Sequence, residues 1–236
     1  EDVFLAEGVK MFLEAPREQL QEVYVSESFL EKCSCREHME EVGYEVVSDS
    51  VFSKISDTCT PQGVLCVLKQ FHYNIEEMLR DKAPLFLLLE NIQDPGNLGT
   101  MLRTGEGAGV SGIIMSRDTV DLYNPKVIRS TMGSIYRVPF YYADDFAAAV
   151  HQVQQAGVSV YAAHLRGKNS YACQDYTKGT AFLIGNEGNG LREETAELAD
   201  CYIRIPMEGK VESLNAAIST AVIAYEVLRQ RSTGKK

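Results

Sequence analysis

The tightest constraint on this chain is the run Leu85-Phe86-Leu87-Leu88-Leu89 and the pattern that follows it. Five consecutive apolar residues without alternation fit a strand covered on both faces, as in a parallel sheet. Beyond it, helical and extended patterns take turns. Helices are expected over 97–108, 125–132, 145–156 and 193–198, and strands over 112–115, 137–140, 158–163, 181–184 and 202–205; a long helix over 214–231 ends the series. Alternation of this kind predicts an α/β fold, a parallel sheet with helices on both faces and ligands at the carboxyl ends of its strands.

Ahead of Leu85 the pattern is shorter and mixed. Residues 4–15 are amphipathic, 22–26 and 44–47 strand-like, 29–42 helical, and 64–68 form another strand candidate after the turn signal Pro61-Gln62-Gly63. The expected organisation is a small α/β domain over 1–70, a linker with a short helix over 71–84, and a larger domain over 85–236. At 236 residues the chain has room for both.

Charge divides along the same line. Up to Pro84 there are 8 Lys+Arg against 17 Asp+Glu, and beyond it 15 against 16, so nearly all of the net charge of −10 sits in the first third. That acidity argues against indiscriminate adhesion to nucleic acid, which needs phosphate neutralisation, and leaves room for a local basic pocket. No apolar stretch approaches the roughly 20 residues that span a bilayer, so no membrane segment is expected. The opening Glu1-Asp2-Val3-Phe4 has no secretory pattern, and whether Glu1 is the native N-terminus stays open. Six cysteines without a secretory context fit reduced thiols in the cytoplasm. Cys33-Ser34-Cys35 with His38 is the most metal-like cluster, but it lacks a second ligand pair and falls where a helix is expected, so no metal is assigned.

Three junctions are rich in Gly, Asn and Pro. The first runs Glu90-Asn91-Ile92-Gln93-Asp94-Pro95-Gly96-Asn97-Leu98-Gly99 and leads to Arg103. Helical spacing puts Asn97 and Arg103 within two turns, where both can address one ligand; Asn97 as a plain N-cap is the competing reading. The second is Gly185-Asn186-Glu187-Gly188-Asn189-Gly190, directly after a buried strand, where glycines permit positive φ and close backbone approach while Glu187 offers an acceptor. The third is Ile205-Pro206-Met207-Glu208-Gly209-Lys210-Val211-Glu212-Ser213-Leu214-Asn215, in which Ser213 can also simply cap the last helix. Familiar nucleotide motifs fail. In Gly105-Glu106-Gly107-Ala108-Gly109-Val110 the last fingerprint glycine is replaced by Val110, and the phosphate-loop glycine before Gly167-Lys168 or Gly209-Lys210 falls on Ala162 or Arg204.

Taken in order and spacing, the three junctions resemble the three signature motifs of SpoU-type RNA 2′-O-ribose methyltransferases of the knotted SPOUT superfamily, over about Leu85 to Arg231. The stretch from Asn124 to Gly133 and the opening Phe4-Leu5-Ala6-Glu7-Gly8 look like the same family, and the first domain is similar to the small α/β RNA-binding module that many members carry. Its acidity departs from a simple RNA-docking surface. The resemblance implies a C-terminal trefoil knot, a rare exception to unknotted connectivity, and S-adenosylmethionine bound in it. It also implies methyl transfer to a ribose 2′-hydroxyl of structured RNA, rRNA ahead of tRNA. By residue match, Gly185, Ile205 and Leu214 line the adenosine pocket, with Gly185 admitting the ligand's close approach, and Asn97, Arg103, Glu187, Ser213 and Asn215 fill the functional polar positions.

The family assigns Arg103 nearest to the loss of the hydroxyl proton. A guanidinium, with a pKa above about 12, is a poor acceptor, so a clamp on a neighbouring phosphate and on developing charge is the favoured role and a base the alternative. The last helix, with Leu214, Ala217, Ile218, Ala221, Val222, Tyr225 and Leu228 at helical spacing, is expected to contribute to a homodimer. An adenosylmethionine-binding, RNA-binding assembly factor without catalysis is the second reading, and a nucleotide-dependent oxidoreductase, weakened by the failed fingerprint, the third.

Overall fold

The computed structural model describes residues 2–233; residues 1 and 234–236, where the expected domains begin and end, lie outside the described residues. The chain opens with β1 (Val3–Glu7), α1 (Val9–Glu14), β2 (Leu20–Ser26), α2 (Glu27–Lys32), α3 (Arg36–Val42), β3 (Glu45–Val47), α4 (Asp49–Ile55) and β4 (Val64–Lys69). Its strands form one sheet in the order β1-β4-β2-β3, antiparallel except for β2 beside β3.

Two expectations are corrected here. The amphipathic stretch 4–15 divides at Gly8 (φ 107°): before it, Phe4 and Ala6 point into the core while Leu5 stays exposed, the alternation of a strand. The helix expected over 29–42 breaks at Cys33-Ser34-Cys35, where Cys33 is extended and Cys35 precedes α3, so the two thiols sit in the break and not in a helix. Helix α4, which Ser48 caps by accepting the N–H of Val51, was not anticipated.

After α5 (Ile75–Met78) come β5 (Leu85–Leu89), α6 (Pro95–Ala108), β6 (Gly112–Ser116), α7 (Pro125–Thr131), β7 (Phe140–Ala143), α8 (Phe146–Gln155), β8 (Ser159–Ala163), β9 (Asn169–Ser170), β10 (Thr180–Ile184), α9 (Glu193–Ala196), β11 (Cys201–Arg204) and α10 (Ala216–Thr233). The seven strands pair in parallel throughout, in the order β7-β6-β5-β10-β8-β11-β9. All five residues of β5, β6 and β10 are buried, which is why their sequences run without polar alternation, Ser116 and Thr180 standing only at strand ends.

One further position differs from expectation. The strand placed over 137–140 begins at Phe140, because Met132 and Gly133 adopt left-handed backbone after α7 and a 3-10 turn, Ser134–Tyr136, follows; Pro139 lacks the N–H a ladder needs. On α10 the buried residues are Ala217, Thr220, Ile223, Ala224 and Val227, while Ile218 and Tyr225 each remain 50% exposed. The helix is apolar on two sides, and only one side faces its own sheet. None of the described helices is long and apolar enough to cross a membrane.

The two sheets are joined by packing and by polar contacts. Tyr123 Oη accepts the N–H of Phe71 (2.6 Å) and donates to its carbonyl (3.1 Å), and Tyr136 Oη donates to the Met11 carbonyl (3.1 Å). Arg137 bridges Glu14 of α1 and Glu106 of α6. Gly99 lets α6 meet α7 closely, since a Cβ there would lie 2.4 Å from that of Ser130.

Candidate active site

The carboxyl end of β5 leads to a turn whose geometry decides the role of Asn97. Asp94, not Asn97, caps α6, accepting the N–H of Asn97 (2.7 Å), and Pro95 follows at the first helical turn. The Asn97 side chain is thereby left for other work. Its Nδ2 donates to Glu187 Oε1 (3.0 Å), and its Oδ1 accepts from Asn215 Nδ2 (3.0 Å). One residue from each junction thus forms a continuous chain, Glu187–Asn97–Asn215.

Glu187 is held from below as well, by the backbone N–H groups of Asp94 (3.1 Å) and Gln93 (3.2 Å). Burial pushes its carboxyl up, but the Asn97 amide and these backbone donors outweigh it and carry the group below the usual carboxylate range. Asn215 has a second function. Its Oδ1 accepts the N–H groups of Ala217 (2.9 Å) and Ile218 (3.3 Å), so it caps α10, and Ser213 does not. The last helix accordingly starts at Ala216, two residues later than expected.

The glycine-rich loop between β10 and α9 is folded back on itself. Asn186 and Gly190 exchange backbone hydrogen bonds, Asn186 Oδ1 accepts from Gly188 N (2.9 Å) and Asn189 N (3.0 Å), and Asn186 Nδ2 donates to the Asn91 carbonyl (2.8 Å). Gly185 is required inside this fold: a Cβ would lie 2.1 Å from Leu191 N and 2.2 Å from the Gly190 carbonyl carbon. The loop's own backbone therefore already requires glycine at 185, a reason the sequence reading did not see. At the loop's far end the buried Glu90 accepts the N–H of Arg192 (2.8 Å) and the hydroxyl of Thr195. The Arg192 guanidinium pairs with Asp118.

A cleft of about 320 Å³ opens beside this loop at the carboxyl ends of β8, β10 and β11, within the usual range for small-molecule sites. Gly185, Glu187, Ile205, Ser213 and Leu214 line it, five of the eight residues singled out from the sequence. Asn97 and Asn215 adjoin it through Glu187. Arg103 does not line it: it is exposed on α6, two turns beyond Asn97, with no hydrogen bond or ion pair among the described residues.

Several contributors escaped the sequence reading. Asn186 and Gln93 stood in the motifs without an assigned role, and Glu90, an acid directly after an apolar strand, was the one available signal of a buried polar clamp. Met207, in the third junction but without an assigned role, and His164, which carried no signal, also line the cleft. No group of three or more His, Cys, Asp or Glu side chains among the described residues is placed to hold a metal ion.

Comparison with known proteins gives the same picture from a different direction. Residues 84–225 match the SpoU rRNA Methylase family and residues 1–66 the MRM3-like substrate binding domain. The chain is 33% identical over 182 residues to the 23S rRNA (guanosine(2553)-2′-O)-methyltransferase RlmP of Bacillus subtilis, covering 77% of this chain and 71% of that protein. It is 32% identical over 222 residues to the 23S rRNA (guanosine-2′-O-)-methyltransferase RlmB of Bordetella pertussis, covering 91% of each. Among solved structures, the AdoMet-bound rRNA methyltransferase from Sinorhizobium meliloti superposes with a TM-score of 0.83 at 30% identity, over 97% of this chain and 87% of that one. The SpoU methyltransferase AviRb from Streptomyces viridochromogenes in complex with AdoMet gives 0.88 at 26% identity, over 99% and 92%. The chain belongs to the SpoU rRNA methylase family.

Proposed function

We propose that the cleft beside the glycine-rich loop holds S-adenosylmethionine and that Arg103, exposed on α6 two turns beyond Asn97, receives the RNA. The protein is an S-adenosylmethionine-dependent RNA 2′-O-methyltransferase. Its substrate is rRNA, in keeping with the 23S rRNA enzymes among its relatives. The observation that carries the site is the Glu187–Asn97–Asn215 chain, which ties all three motifs around one cleft.

The cleft suits the cofactor. Ile184, Ile205 and Leu214 supply apolar walls for an adenosyl group, and Glu187 and Glu212 place carboxylates where a sulfonium needs negative potential. When bound, the cofactor supplies an electrophilic methyl group. The chain's own residues then have three tasks. The clamped loop keeps the pocket from rearranging, so little ordering entropy is left for the moment of reaction. Asn97, fixed at both ends, holds Glu187 and Asn215 in register. Arg103, without an ion pair or hydrogen bond among the described residues, offers a planar fork to a phosphate beside the target ribose and stabilises charge growing on the 2′-oxygen.

Residues 1–70 form the RNA-docking domain, 71–84 the linker, and 85–236 the catalytic domain, whose β10–β11–α10 segment ties a trefoil knot. Support for the knot comes from β10 lying between β5 and β8 while α10 returns against α6. The protein is a cytoplasmic homodimer, assembled through the second apolar side of α10, where Ile218 and Tyr225 are exposed. The test is direct. Labelled S-adenosylmethionine incubated with rRNA and tRNA should mark a single 2′-O-methylated nucleotide in rRNA; NAD binding without response to S-adenosylhomocysteine overturns the reading.

A further inference from the structure

His164 stands where β8 leaves the sheet and lines the cleft. The turn that holds it is tightly built. Gly167 N donates to the His164 carbonyl (2.9 Å), His164 N donates to the Ile203 carbonyl (3.0 Å), and a Cβ on Gly167 would lie 2.7 Å from the Ile203 carbonyl. The imidazole packs on Tyr202 at 5.2 Å between ring centroids. Its Nδ1 accepts the backbone N–H of Arg166 (3.1 Å), which fixes the tautomer: in the neutral ring the proton is on Nε2. Nε2 has no hydrogen-bond partner among the described residues, and it is not sealed in the interior. A residue of the cleft wall therefore carries an oriented N–H donor that the three motifs do not account for.

We propose that His164 is a cofactor-positioning residue, its neutral Nε2–H donating to an acceptor on the adenosyl group. This rests on placing the cofactor in the cleft. Protonation would put a hydrogen on Nδ1 against the Arg166 N–H, breaking the turn that aims the ring. The charged and titratable groups around it are Arg166 on the same turn, Glu193 from the start of α9, Tyr202 on β11, and Arg204, Glu187 and Glu212 on the remaining cleft walls. Burial and the Arg166 charge both favour the neutral ring, against a weaker opposite pull from Glu193, so its pKa lies below the ordinary histidine value. Affinity should hence be flat at neutral pH and fall as the solution is made more acidic.

The probe is S-adenosylhomocysteine, titrated calorimetrically into the full chain between pH 5.5 and 8, with ¹⁵N spectra of the histidine rings. His164→Ala should bind about tenfold more weakly at pH 7.5, the loss of one hydrogen bond. His164→Asn, whose Oδ1 can accept from Arg166 N while Nδ2 donates, should keep most of the affinity and lose the acid-side decline. In the wild type, ligand binding should shift Nε2 and leave Nδ1 unprotonated. Equal affinity of wild type and His164→Ala across the range, or a bound ring protonated at Nδ1, overturns the proposal. If the ligand perturbs the amides of Gly185 and Ile205 but not the ring, only the role of His164 fails. If it perturbs none of the three, the placement of the cofactor itself is wrong.

Discussion

The two parts of the site are built on opposite principles. In the glycine-rich loop nearly every polar group is spoken for: Asn186 satisfies three partners, Glu187 three neighbours from the first junction, and Glu90 anchors the exit. Six residues past Asn97, on the same helix that supports Glu187, Arg103 is exposed and has no hydrogen bond or ion pair among the described residues. A saturated network keeps a shape, and an unpaired guanidinium keeps its binding capacity for something outside the chain. On the proposed reading the cofactor side is preformed, and the RNA side is completed by the substrate.

Removing Arg103 should give the largest effect. Arg103→Ala is expected to lower single-turnover methylation by about 10²–10³-fold, the usual cost of an electrostatic stabiliser, with S-adenosylhomocysteine affinity unchanged. Arg103→Lys should recover little, because a point charge does not replace a planar fork. A clamp also predicts a rate that keeps rising toward alkaline pH; a plateau near neutrality that vanishes in the Ala variant would assign Arg103 as the base. Loss of cofactor affinity in Arg103→Ala would erase the contrast between the two parts.

Gly185→Val strikes the saturated part. Its side chain meets backbone, not a flexible neighbour, so the loop must open, at a cost of about 1–3 kcal/mol of stability and with loss of calorimetric cofactor binding. Gly188→Ala is the internal control. Its nearest atom, Asn186 Oδ1, would be at an ordinary 3.5 Å, and its thermal midpoint should match the wild type. Equal stability of Gly185→Val and wild type would show that the loop is not rigid.

Legibility in the sequence followed the same division. Strands buried on both faces, such as β5 and β10, announce themselves as apolar runs, so the centre of the parallel sheet was readable, while the edge strands β7 and β9 were displaced or missed. The small sheet was less so: its strands and helices are short, and a single positive-φ glycine, Gly8, converts what reads as one amphipathic helix into a strand and a helix. In the site, the glycine and asparagine clusters located the loops, but which residue caps which helix depends on where a turn closes. Asp94 and Asn215 hold the caps for which Asn97 and Ser213 are the competing sequence candidates. On α10 the periodicity marked the side that carries Ile218 and Tyr225, which stays exposed, while the side buried in the chain's own core runs through Thr220, Ile223, Ala224 and Val227.

That second side offers a subtler test. With Ile218 and Tyr225 replaced by Glu, a dimer held through α10 should dissociate in sedimentation at micromolar concentration, while far-ultraviolet dichroism stays unchanged because neither residue is in the chain's own core. A monomeric wild type with full activity would remove α10 from assembly.

The smallest effect expected belongs to acid titration of Glu187. Its carboxyl is ionised more readily in the folded chain than in the unfolded one, because the Asn97 amide and two backbone N–H groups favour the charged form. For a depressed carboxylate the stabilisation is complete above the unfolded value and is lost as pH falls through the folded one. The sign is therefore a decline confined to pH below the ordinary glutamate range of about 4.3. Glu187 is exposed, so solvent screening keeps the amplitude modest. In urea titrations, Glu187→Gln should be less stable than wild type at pH 7, and the gap should narrow toward pH 3 as the wild-type carboxyl takes up its proton. Because the same carboxyl joins the loop to Asn97, the amide resonances of Gln93 and Asp94 should shift over the same pH interval. A gap independent of pH would mean that Glu187 holds the loop by shape and hydrogen-bond count, with its charge reserved for the ligand.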